Sequence, residues 1–86
     1  MDPGALAIEF ENLARKLGID IKQTADGPSG LCTVRGKRII YIDRGLDGYA
    51  RLDVFVNAFK AIDLSGVFVV PAVRRLLDKG MGNGGW

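Results

Sequence analysis

Residues 31–61 constrain the fold most: two β-rich runs around a glycine are followed by an apolar stretch of helical period, the pattern of a hairpin feeding a helix. The runs at 31–34 and 38–42 flank Arg35-Gly36-Lys37, where Gly36 supplies the positive φ of a tight turn. Ile39, Ile40, Tyr41 and Ile42 are apolar on both faces, so this strand is expected to be central and covered. Asp47 stands where it can cap a helix over 48–62. Leu52, Phe55, Val56, Phe59 and Ile62 make its main stripe, and Val54, Ala58 and Ala61 carry apolar surface around much of the rest.

The flanking segments complete an α+β plan. Asp2 and Pro3 fit the cap and first position of a helix over 3–17, in which Leu6, Phe10, Leu13 and Leu17 fall on one face before Gly18 stops it. Residues 19–23 alternate apolar and polar as an edge strand does, and Asp26-Gly27-Pro28-Ser29-Gly30 is a cluster of turn formers. After a break at 63–66 and a short segment at 67–70, Pro71 opens a third helix that Gly80 ends. The expected architecture is helix, strand, hairpin, helix, helix around a three-stranded, mostly antiparallel sheet. It forms a single domain over 1–79, with 80–86 as a flexible glycine-rich tail.

Composition narrows function by exclusion. The 86 residues contain no histidine, which removes the side chain that titrates near neutrality and most often ligates metals. Cys32 is the lone cysteine, so neither a disulfide framework nor a multi-cysteine zinc site can form within the chain. Together with an opening Met1-Asp2-Pro3-Gly4 that lacks a basic-then-apolar signal, and no apolar run near the roughly 20 residues that span a bilayer, this predicts a soluble bacterial cytoplasmic protein. A net charge of +2 permits nucleic acid as a partner without requiring it.

The order of elements resembles the minimal zinc-peptidase domain of phage-type antirepressor proteases, in which a hairpin strand ending near an acidic residue leads into a helix carrying His-Glu-x-x-His. Residues 37–62 carry the likeness, with Ile40-Tyr41-Ile42-Asp43 followed by Ala50-Arg51-Leu52-Asp53-Val54-Phe55. The equivalent helix here continues Phe55-Val56-Asn57-Ala58-Phe59-Lys60-Ala61-Ile62 and holds neither ligand pair nor glutamate, so the resemblance implies a layout without the zinc chemistry. The chain also resembles short uncharacterised bacterial proteins sharing a Gly-x-Cys-x-x-x-Gly-Lys hairpin, here residues 30–37, and a Phe-Val-x-Pro-x-Val-Arg segment, here residues 68–74.

The remaining candidates are weighed on chemistry. A reactive Cys32 would need its thiolate stabilised by Arg35, Lys37 or Arg38, whereas a buried cysteine acts as a small hydrophobe, which is the expectation adopted. Arg35, Lys37, Arg38 and Arg44 are the candidate anion or nucleic-acid contacts, although a basic hairpin tip is also an ordinary solvated turn and Tyr41 is the one aromatic near it. Asp43, Asp47, Asp53 and Asp63 are explained by caps and turns. Helix two, residues 67–70 and Trp86 amount to surplus apolar surface, which points either to a partner or to cover by helix three and the 67–70 segment within a monomer. The expectation is a non-catalytic protein-interaction module without cofactor or metal, self-associating or binding another protein through Phe55, Phe59, Phe68 and Trp86. A nucleic-acid or anion binder is the alternative.

Overall fold

The structure, a computed structural model, describes residues 2–25 and 27–79. Helix α1 spans Pro3–Leu17: Asp2 Oδ1 accepts the Ala5 N–H at 2.7 Å, and Gly18 closes the helix at φ +73° with Arg15 and Lys16 in the last turn. These basic residues face the partial negative charge of the helix terminus. Helix α2 spans Gly48–Lys60 under the Asp47 cap, whose Oδ1 accepts the Ala50 N–H at 2.8 Å. It stops two residues short of the expected end. The N–H groups of Ala61 and Ile62 reach back three residues, to Ala58 and Phe59, and tighten the last turn before the break at 63–66. Helix α3 spans Pro71–Lys79. Trp86, the tail at 80–86 and Asp26 lie outside the described residues, so the expectations placed on them have no structural counterpart.

Three strands, β1 (Asp20–Thr24), β2 (Gly30–Val34) and β3 (Lys37–Asp43), form one sheet in the order β1-β3-β2. The α+β class holds. The sheet is mixed, whereas a mostly antiparallel one was expected: β2 and β3 form the antiparallel hairpin, and β1 runs parallel to β3 from Asp20↔Ile39 to Thr24↔Asp43. The cause is burial. Ile39, Ile40 and Ile42 are shielded along their edges when β3 takes the centre between the more polar β1 and β2. The helices cover only the face of Ile40 and Ile42, so the expectation that this strand is covered on both faces is met on one.

The helices roof one face of the sheet, α1 over β1 and α2 over β2 and β3, with α3 against both helices. Phe10 of α1 sits between Phe55, stacked at 5.7 Å, and Phe59, tilted at 5.3 Å. At the rim Arg51 Nη2 donates to Glu11 Oε2 at 2.8 Å across the α1–α2 seam. The apolar stripe of α2 from Leu52 to Phe59 is therefore consumed internally by the sheet, α1 and α3, while Tyr49 in its first turn stays exposed. Phe55 and Phe59, taken from the sequence as interface residues, are 0% and 1% exposed and belong to the core.

Beyond α2, Asp63 organises the turn that leads to residues 67–70. Its Oδ1 accepts the Ser65 hydroxyl at 2.6 Å and the Ser65 N–H at 2.9 Å, and these bonds hold its carboxyl below the ordinary carboxylate range. A depressed folded-state pKa contributes stability that is present above the unfolded value and lost as pH falls through the folded one. Thermal melts of wild type and Ser65→Ala are therefore expected to differ near neutrality, where wild type is the more stable, and to converge in acid. A gap that persists at the most acidic pH would contradict this.

Candidate interaction surface

Directly paired residues share a face of a sheet, so the register sorts the strands into two rows. Ile21, Leu31, Ile40 and Ile42 point into the helical layer. On the opposite face stand Asp20, Lys22 and Thr24 of β1, Lys37, Ile39, Tyr41 and Asp43 of β3, and Gly30, Cys32 and Val34 of β2. No helix covers this second face among the described residues. Its β1 side is charged: Asp20 lies opposite Ile39 and meets Lys37 at 3.7 Å. Its β2 side is uncharged, with Val34 43% exposed and Cys32 exposed. The expectation of a buried Cys32 is corrected here. The thiol faces away from the helices because Leu31, its neighbour, takes the inward row and packs against the core.

At one end of this face a groove of about 310 Å³ runs between Thr24, Pro28, Cys32 and Tyr41. The Thr24 hydroxyl oxygen beside it is buried with no hydrogen-bond partner among the described residues. Ser29 Oγ accepts the Asp43 N–H at 2.9 Å and Asp43 Oδ1 accepts the Gly45 N–H at 2.9 Å, which fixes the corner where β3 ends.

The four basic candidates do not converge. Arg35 occupies the hairpin tip at φ +52°, and Lys37 shares the open face with its ion-pair partner Asp20. Arg38 falls in the inward row, and Arg44 lies past the far end of β3, about 20 Å from Lys37 along the strand. Of the proposed interface set, Phe68 is 70% exposed, with Lys16 Nζ 6.0 Å from its ring centroid. Comparison with family models, curated proteins and solved structures gives no match for this chain. Among the described residues no three His, Cys, Asp or Glu side chains gather where a metal ion could be held, and no helix is long and apolar enough to cross a membrane.

Sequence reasoning passed over Val34 as a surface residue and weighed Tyr41 only as the aromatic near the basic hairpin tip. The available signal was the uncharged run Gly30-Leu31-Cys32-Thr33-Val34, which is unusual for an edge strand, since edges are ordinarily guarded by charge or proline.

Proposed function

We propose that the protein is a non-catalytic interaction module that self-associates, and that the β2 side of its sheet, rather than the helical layer, is the contact surface. One observation supports this above all: an uncharged edge strand borders a sheet face that no helix covers among the described residues. Phe55 and Phe59, which first pointed to a partner, are spent in the domain's own core, whereas Cys32, Val34 and the neighbouring Tyr41 stand together on one sheet face; Ile8, Tyr49 and Phe68 are exposed as well, but on α1, α2 and the 67–70 segment. Light scattering across a concentration series tests the reading. A concentration-dependent rise to twice the 9.3 kDa chain mass is expected. Phe68→Ala should leave that mass unchanged, because Phe68 belongs to the opposite layer. A strict monomer at high concentration, or a dimer abolished by Phe68→Ala, would contradict the proposal.

A further inference from the structure

We infer that two copies of this chain join β2 to β2, antiparallel, about a two-fold axis at Cys32, extending the three-stranded sheet to six. This rests on the self-association reading and names its geometry. The backbone sets the first condition. Arg35 and Gly36 both have positive φ and connect the closing pair Val34↔Lys37, the form of a two-residue hairpin whose closing pair exchanges both hydrogen bonds. Bonded and non-bonded pairs alternate along an antiparallel ladder, so Gly30, Cys32 and Val34 bond to β3 while the N–H and C=O of Leu31 and Thr33 turn outward. Outside the strand ladders, no backbone group among the described residues bonds to them.

Charge then selects the occupant. Pairing β2 with its own copy about Cys32 places Leu31 opposite Thr33 and Gly30 opposite Val34, with no charged pair anywhere in the ladder. Pairing β1 with itself about its middle residue would set Lys22 against Lys22, which is destabilising. Joining β1 to β2 would be a head-to-tail contact that leaves open edges and grows without closing.

The axis also supplies a reporter. Cys32 faces Cys32 as a non-hydrogen-bonded pair with Cα atoms about 4.5 Å apart, within the span of a disulfide. Diamide, which takes two electrons and two protons from a thiol pair, is expected to convert the full-length wild-type protein rapidly to a covalent dimer that dithiothreitol reverses. Cys32→Ser combined with Thr33→Cys should cross-link far more slowly, because residue 33 lies opposite residue 31 and not opposite itself. Thr33→Pro removes an outward N–H that the chain's own ladder does not use, and Thr33→Lys, which keeps the backbone intact, brings two like charges to the edge. Each is expected to weaken the non-covalent dimer at least about ten-fold by light scattering. A dimer that survives Thr33→Lys, or one whose Cys32 thiols fail to cross-link, would overturn the β2 pairing while leaving self-association in place. A monomer at every concentration would overturn both.

Discussion

Replacing Phe55 by alanine is expected to cost about 3–5 kcal/mol, a large share of the about 4–13 kcal/mol total stability of a domain this size. Phe55 is fully buried, stacks on Phe10 and lies in the layer shared by α1, α2 and the sheet. Its truncation removes aromatic contacts on several sides, and the cavity cannot close without moving α1. Phe68→Ala should change stability by less than about 0.5 kcal/mol, because its ring is mostly in water and its cation–π contact with Lys16, at 6.0 Å, is at the limit of range. Thermal melts at one protein concentration separate the two cases. The expected fall for Phe55→Ala is at least about 12 °C, against a change within a few degrees for Phe68→Ala. Near-equal shifts would return Phe55 to the surface and reopen the helical face as a docking site.

That contrast marks where the sequence was legible. Local signals placed elements well: Asp2 and Gly18 bound α1, Asp47 caps α2 and Pro71 opens α3, each through a backbone group that a single side chain or φ value satisfies. Non-local demands were not legible. The sequence left open whether α3 or a partner covers the far side of α2, and the helix is enclosed by the sheet, α1 and α3, burying more than one stripe. The parallel β1–β3 pairing depends on which strand takes the centre, a competition over burial that no turn motif encodes. Cys32 illustrates the sharpest ambiguity. In a strand reading Gly-Leu-Cys-Thr-Val either alternate row could face inward, and a shift of one residue exchanges them. Only the register with Ile39, Ile40 and Tyr41 decides that Leu31 goes in and Cys32 goes out.

The same register makes adjacent isoleucines unequal. Ile40→Ala is expected to cost about 3–5 kcal/mol, since its side chain is fully buried among the residues of the helical layer. Ile39 is also buried, at 6% exposure, yet it lies outside that cluster on the face no helix covers. It is shielded by strand neighbours, with Cys32 opposite on one side and the Asp20–Lys37 pair on the other. These can relax into the space an alanine leaves, and water can enter it, so Ile39→Ala should cost only about 1–2 kcal/mol. Urea denaturation of both variants, at a concentration low enough to keep the chain monomeric, measures the difference directly. Equal losses would mean that Ile39 is enclosed on its own side, and the sheet would then have no uncovered face to offer a partner. An Ile39 loss well below that of Ile40 leaves the β2–β3 side accessible, which is the condition that association through β2 requires.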